Sequence, residues 1–476
     1  MTIPEQKKLW HNLYKSAPEQ LQKMSDINGM ISAFNANIDA VVKLSGKQIE
    51  NLISKFGLKE DFFNSDKKQI DKPEDVLRGL VKCFSKGIAE EWIISDKDTF
   101  KNLQNTLKYN KLQIGGQGGI VANVAAICGV QNIYVHCASL PEIQAKLFLD
   151  VPNLLSVDEN KEIKKTHSIH RKNDIPLIHY ILEFDINDTL NFFGKEITCP
   201  KSNRFIATYD PLNFKLHIDK NFEERLSEKD VNYDYIILSG YQMLQETLPD
   251  GTSGKEKINY SLKVINKLRK NGKNPLIHFE IASTQDKVIR KYLLDTIAKQ
   301  VDSIGFNERE LIDILEVINQ NELAKKCNTN TNSVNLFRAM IKVFNYIETP
   351  RMQLHMFGLY ITLQNKDFRI SPEQNRKGML TAAVIAAGKA GTGSLENKDN
   401  LLWAKDENVS DIGLNELNEL SDYITKIYGI NNLSETGIFE HSDFDLIAVP
   451  TIIIDKPVTL VGMGDTISSI SLIAAR

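Results

Sequence analysis

The chain has 476 residues, 42% of them hydrophobic and 25% charged, with a formal net charge of −3. That mixture describes a globular chain long enough for two or three domains, or for one large α/β core carrying a smaller insertion. No basic excess points to nucleic acid or an anionic membrane, and no apolar run approaches a membrane span, so those classes of function are set aside.

The first segment, "MTIPEQKKLWHNLYKSAPEQ", lacks an apolar signal region and reads as an amphipathic helix. The cysteines, Cys83, Cys128, Cys137, Cys199 and Cys327, are odd in number and scattered. They show neither paired zinc spacing nor a disulfide framework, which suits a reducing cytoplasm. In "FNANIDAV", a short apolar strand Met30–Phe34 leads into Asn35, Asn37 and Asp39. Spaced by two, these polar groups line one face of an extended segment, suited either to holding sugar hydroxyls or to a plain turn. "GGQGGI" at Gly115–Ile120 precedes an apolar helix, Val121–Cys128. It fails the G-x-G-x-x-G dinucleotide fingerprint because Val121 takes the last place, so it is a loop–helix turn or a hinge whose backbone approaches a ligand.

His167 and His170 in "THSIHRK" have no cysteine cluster beside them and read as a polar loop. "IPLIHYILEFDI" alternates, with Ile178, Tyr180, Leu182 and Phe184 on one face and His179, Ile181 and Glu183 on the other. That pattern suits an antiparallel sheet with one polar face. "RFIATYDPLNFKLHI" gives a further strand and a turn at Asp210-Pro211. We expect residues 37–111 and 163–217 to form a lid, and residues 1–36, 112–162 and 218–476 the large domain.

From Val231 the chain alternates regularly: strands in "YDYIILSG", "PLIHFEIAS" and "VDSIGFN", with helices in "EKINYSLKVINKLRKNG" (ended by Gly272), "DKVIRKYLLDTIAKQ" and "ERELIDILEVI". Such alternation means βαβ units and a parallel sheet with helices on both faces. Ligands of open sheets bind beyond the carboxyl ends of the strands, here marked by Ser239-Gly240, Glu280 and Asn307. "HFE" leaves Glu280 in an apolar strand, and "NERE" sets Asn307, Glu308 and Glu310 at a helix start. Acids there complement the helix dipole, yet together these carboxylates suit a hydrated Mg²⁺ beside phosphate. Gly391–Ser410 reads as a loop. The last stretch, "LVGMGDTISSISLIAAR", reads as a strand end at Thr459–Val461 and an apolar helix Ile467–Ala475 that starts at Asp465 or Thr466. Asp465 is then a helix cap, or a base beside a phosphate held by the backbone of Gly462–Gly464.

In that order, "NANID", "GGQGGI", "HFE", "NERE" and "GMGDTIS" resemble the ADP-dependent sugar kinases of the ribokinase-like superfamily. Those enzymes phosphorylate glucose, fructose 6-phosphate or both, with ADP as phosphoryl donor. The motifs run from Asn35 to Ser468, nearly the whole chain. Gly118 stands where alanine is usual and Met463 where leucine or valine is usual. The resemblance implies a three-layer α/β/α sandwich with a smaller, mostly β lid. It implies Asp465 as general base, with Gly462 and Gly464 as anion hole and Arg204 on the transferred phosphate. The sugar would meet Asn37, Asp39, Gly115, Gly116, Gln117 and His179. Asn307, Val449, Gly462, Met463 and Gly464 would meet the nucleotide, and Glu280, Glu308 and Glu310 would hold Mg²⁺ or another divalent cation.

In the family, a glutamate in the "GxAxE" stretch, here "GIAEE" at Gly87–Glu91, resembles that of glucose-accepting members, which makes Glu90 the expected specificity residue and Glu91 its alternative. Fructose 6-phosphate needs lid cations, for which Arg171 and Lys172 are the candidates. The expected partners are ADP, AMP and a hexose or hexose phosphate, in a cytoplasmic monomer or small homo-oligomer, without nucleic acid or membrane. An ATP-dependent sugar or nucleoside kinase and a non-catalytic sugar or nucleotide sensor on the same fold stay open. A Rossmann dehydrogenase is disfavoured for want of a dinucleotide fingerprint.

Overall fold

The structure is a computed structural model that describes residues 1–271, 274–393, 395–458 and 463–476, without the side chains of Met463 and Asp465. Its backbone is an eleven-stranded sheet. From Leu154–Val157 through Ile133–Val135, Met30–Ala33, Tyr235–Leu238, Leu276–Glu280 and Ser303–Phe306 to Arg351–Met356, every pairing is parallel. Leu359–Gln364, Asp445–Pro450 and Ile438–Glu440 extend one edge antiparallel, and Ile163–Lys165 closes the other.

Strand alternation divides the core into two layers. In the strand Tyr235–Leu238, Ile236 and Leu238 join the apolar cluster of the helices Gly254–Asn271 and Lys287–Thr296. Tyr235 and Ile237 join the opposite cluster, with the helices Gln117–Cys128 and Met463–Ala474. Successive side chains of a strand point to opposite faces, so one buried strand serves both layers. The expected three-layer α/β/α sandwich is therefore present. Among the described residues, no helix is long and apolar enough to cross a membrane.

The lid is a six-stranded sheet in the order Gln69–Ile70, Glu90–Ile94, Asn203–Tyr209, Ile178–Phe184, Asn37–Lys43, Lys111–Gly115. It is mixed rather than purely antiparallel: Asn37–Lys43 pairs parallel with Ile178–Phe184, which pairs antiparallel with Asn203–Tyr209. One face buries Ile38, Ala40, Val42, Tyr180, Leu182, Phe184, Phe205 and Trp92 in a core of its own, against the helix Asp75–Lys86 among others. The other face turns its polar residues to the large domain.

The structure differs from the sequence reading in several places. Lys111–Gly115 belongs to the lid sheet, because Asn37 and Gly115 are register partners. Ile163–Lys165 belongs to the large sheet, where it pairs with Leu154–Val157. Gly391–Ser410 is not all loop: the alanine-rich helix Pro372–Thr392 runs into it, and Lys398–Leu401 is a short helix capped by Asn397. The last helix begins at Met463, so Asp465 lies inside its first turn rather than at its cap. Thr459–Val461, Gly462 and Gly272 lie outside the described residues.

Candidate active site

Between the polar face of the lid sheet and the carboxyl ends of the large sheet lies a cavity of about 400 Å³. Alternation supplies the lid's contribution: Asp39, His179 and Arg204 come from three adjacent strands and share the face opposite the lid core. Asn37 of the lid joins them, and Asn35, Gly116, Gln117, Gln242 and Glu310 complete the wall from below. Gly116 adopts φ +74°, and a Cβ there would stand 2.7 Å from Asn37 Oδ1, so the turn into the helix Gln117–Cys128 requires glycine. Gly115 backs the site: a Cβ on it would meet Asp39 Oδ1 at 2.1 Å.

The polar groups are partly paired among themselves. Asn37 Nδ2 donates to Asp39 Oδ1 (2.8 Å), and Thr208 Oγ1 donates to Glu91 Oε1 (2.6 Å). His179 Nε2 lies 3.0 Å from Asp210 Oδ2, while its Nδ1 is 4.0 Å from Glu91. Asn213 holds Asp210 from the other side through its backbone N–H and Nδ2. Three acceptors on the wall, Asn35 Oδ1, Asn37 Oδ1 and Gln242 Oε1, are buried without a hydrogen-bond partner among the described residues. An orphaned buried acceptor costs about 1–3 kcal/mol, so this cavity suits a ligand rich in hydroxyl donors.

Burial raises the Asp39 carboxyl above the ordinary range, against the pull of His179 and the Asn37 hydrogen bond. For His179, burial opposes the charged ring, but the hydrogen bond it donates to Asp210 and the charges of Asp210, Glu91 and Asp39 outweigh it and raise its pKa. A raised histidine stabilises the fold fully below its ordinary value, and that contribution is lost as pH rises through the folded value. His179→Gln is therefore expected to lose more stability at pH 6 than at pH 9, in urea titrations run at both pH values. An equal loss at the two would show that His179 is not charged in the folded protein.

A second cavity, about 620 Å³, lies at the same end of the sheet. Its walls are Tyr360, Phe357, Ala386, Ala390, Ile452 and Ile454, with Asn307, Glu308, His355 and Gly464 at polar positions. One helix start bridges the two cavities, because Glu310 lines the first while Asn307 and Glu308 line the second. "NERE" forms a capping box there: Glu310 N–H donates to Asn307 Oδ1 (2.9 Å) and Asn307 N–H to Glu310 Oε2 (2.8 Å). Glu308 Oε1 accepts from Phe357 N–H (2.7 Å). Glu280, buried at its strand end, meets His278 Nε2 at 3.0 Å and His355 Nε2 at 3.9 Å. Burial holds His355 down to about 4 and His278 well below the ordinary histidine value, so both rings are neutral at pH 7.

Four expected residues are placed elsewhere. Glu90 shares its face with Trp92, toward the lid core, where it accepts from Trp92 Nε1 (2.9 Å) and pairs with Lys82 (2.8 Å). Glu91, one residue on, faces the cavity, so of these two glutamates it is Glu91 that lines it. Arg171 is buried in the large domain, donating to the carbonyls of Val157 (2.7 Å) and Cys137 (3.2 Å) and pairing with Asp174 and Asp219. Lys172 sits exposed in a turn and is not among the residues that line the cavity. Val449 is fully buried in the sheet, opposite Tyr360, and the second cavity begins two residues later at Thr451.

The Gly462 backbone and the Met463 and Asp465 side chains lie outside the described residues, and Gly464 lines the second cavity. Sequence reasoning passed over Asp210, read as a turn residue, and Thr208, Asn213 and Gln242, which carry no local signal.

A lid over the carboxyl ends of a parallel sheet, with a polar and a more apolar cavity there, suits an enzyme that binds two small molecules side by side. Residues 28–474 match the family described as the ADP-specific phosphofructokinase/glucokinase conserved region, and the chain belongs to that family of ADP-dependent phosphotransferases. It is 31% identical over 471 residues to an ADP-dependent glucose/glucosamine kinase of Pyrococcus furiosus, covering 98% of each chain. It is 28% identical over 458 residues to an ADP-specific phosphofructokinase of Methanosarcina acetivorans, covering 94% of this chain and 93% of that one. Among solved structures, an ADP-dependent kinase in complex with fructose 6-phosphate and ADPβS superposes with TM-score 0.83 at 30% identity, over 100% of this chain and 98% of that one.

Proposed function

We propose that this protein transfers the β-phosphoryl group of ADP to a hexose hydroxyl, releasing AMP, and that glucose is its better acceptor. The observation that carries the reading is the first cavity: buried orphan acceptors on Asn35, Asn37 and Gln242, with the carboxylates of Asp39 and Glu91, ask for a neutral polyol. Among the lining residues the cationic groups are Arg204 and His179. His179 is already engaged by Asp210, and Arg171 is turned into the large domain, which leaves little to hold a second phosphate. Fructose 6-phosphate is the second reading, favoured by Arg204 and by the complex of the related kinase.

The more apolar cavity takes the adenosine of ADP, its phosphates pointing to the start of the helix Met463–Ala474, where backbone N–H groups and the helix dipole favour anions. Asp465 takes the proton of the attacking hydroxyl as its oxygen bonds to the β-phosphorus and AMP leaves. Arg204 steadies the phosphoryl oxygens. Glu280 and Glu310 offer only oxygen donors, the set a hard cation takes. They therefore fit Mg²⁺ held largely through water, which when bound neutralises charge on the phosphates. Five buried, unpaired thiols suit the cytoplasm.

Initial rates with ADP and each sugar test the reading. Glucose is expected to give the higher kcat/KM, and a preference for fructose 6-phosphate would assign the second acceptor. No turnover with either would overturn the proposal.

A further inference from the structure

We propose that Arg351, Ser303 and His278 form a one-way hydrogen-bond chain that orients Glu280, which makes Arg351 and Ser303 positioning residues for a carboxylate of the divalent-cation site. The inference rests on the reading of Glu280 given above. Register puts the members in a row: His278 is paired with Ser303, and Ser303 with Arg351, on three adjacent parallel strands. All three are fully buried. Their side chains lie on the face covered by the last helix, since Arg351 Nη2 reaches Ser471 Oγ (3.4 Å) and nearby His355 reaches Ser468 Oγ (3.0 Å).

The direction of the chain is set from both ends, by a guanidinium that can only donate and a carboxylate that accepts. A guanidinium has donors and no acceptor. Arg351 Nη1 donates to Ser303 Oγ at 2.9 Å, which leaves the hydroxyl's own proton for His278 Nδ1, 3.0 Å away. An imidazole that accepts at Nδ1 carries its proton at Nε2, which then donates to Glu280 Oε2 at 3.0 Å. The reverse order would set the Nε2 lone pair against the carboxylate and leave the serine proton without this acceptor. Arg351 is itself fixed from behind, donating through Nη2 to Gln353 Oε1 (2.5 Å) and Asn375 Oδ1 (3.0 Å).

Asn375 lies on the helix Pro372–Thr392, which also walls the nucleotide cavity through Ala386 and Ala390. Gly305 leaves room for the carboxylate, since a Cβ there would stand 2.2 Å from Glu280 Oε2. With Oε2 held, Oε1 lies on the side of His355, which lines the nucleotide cavity. Partners behind a metal-binding group commonly contribute 10- to 100-fold, by the order of magnitude known for such second contacts.

The test uses the full-length protein with Mn²⁺ as probe. Imidazole N–H correlation NMR without metal, assigned against His278→Gln, is expected to show a neutral His278 protonated at Nε2. Ser303→Ala is expected to weaken Mn²⁺ binding to the ADP complex, read by electron spin resonance, by roughly 10-fold. ADP binding in EDTA should be unchanged, and Ser303→Thr, which keeps the hydroxyl, should restore the affinity. Arg351→Lys serves if the alanine variant does not fold, with a loss in the same direction. Proton density at Nδ1 in the wild type overturns the chain whatever the variants do. Unchanged Mn²⁺ affinity in Ser303→Ala, when Glu280→Gln weakens it, overturns the positioning role. Unchanged affinity in Glu280→Gln itself removes the reading beneath it.

Discussion

Replacing Asp465 by Asn is expected to leave a folded, ADP-binding protein whose turnover of glucose falls roughly 10²–10⁴-fold, the worth of a positioned general base. Phosphoryl transfer asks little covalent chemistry of the protein, so what it supplies is alignment, charge stabilisation and a place for the hydroxyl proton. An amide at Asp465 keeps the size and polarity of the side chain but cannot accept that proton. The structural cost is small, because the helix begins at Met463 and Asp465 is not its cap. Losing an acid from the first turn removes a favourable dipole interaction of about 0.3–1 kcal/mol. Steady-state kcat, with KM for ADP and glucose within a few-fold of wild type, is the readout. Near wild-type kcat would reduce Asp465 to a complement of the helix dipole.

The second large effect is expected at Glu91. Its carboxylate faces the cavity, held by Thr208 and 4.0 Å from His179. A hydroxyl of glucose can donate to it, and a hydrogen bond to a charged group contributes about 1.5–3 kcal/mol. Glu91→Ala should then lower kcat/KM for glucose by ~10-fold or more. Fructose 6-phosphate brings a dianion that the same carboxylate repels, so its kcat/KM should change little or rise. Glu90→Ala is the control. It breaks the contacts with Lys82 and Trp92 behind the sheet, so it should lower the melting temperature and leave the ratio of the two sugars untouched. If Glu90→Ala instead shifts that ratio while Glu91→Ala does not, the assignment by strand face is wrong.

Much of this site was legible because it follows strand periodicity. Asn37 and Asp39, and likewise His179 on the neighbouring strand, are the polar members of alternating segments, and the structure sets them on one wall. The same rule, applied to "EEWII", separates Glu90 from Glu91, since Trp92 and Ile94 mark the core face. A motif match without the period pointed to Glu90, which the structure turns toward Trp92 and Lys82, while Glu91 lines the cavity. Arg171 is placed differently for another reason: a cation in a polar stretch reads as one the lid can offer to a sugar phosphate, and nothing local shows that the carbonyls of Cys137 and Val157 converge on it. The row His278, Ser303, Arg351 was hidden because it depends on pairing between strands far apart in sequence. The mixed pairing of the lid was hidden likewise, as alternation reports a buried face and not a strand's direction.

The most direct measurement of the central claim is phosphorus NMR of the protein with ADP, glucose and Mg²⁺. The account predicts that the β-phosphorus signal of ADP is replaced by that of glucose 6-phosphate while AMP accumulates in equal amount, and that ATP in place of ADP supports far slower transfer. ADP left intact while ATP is consumed would contradict it.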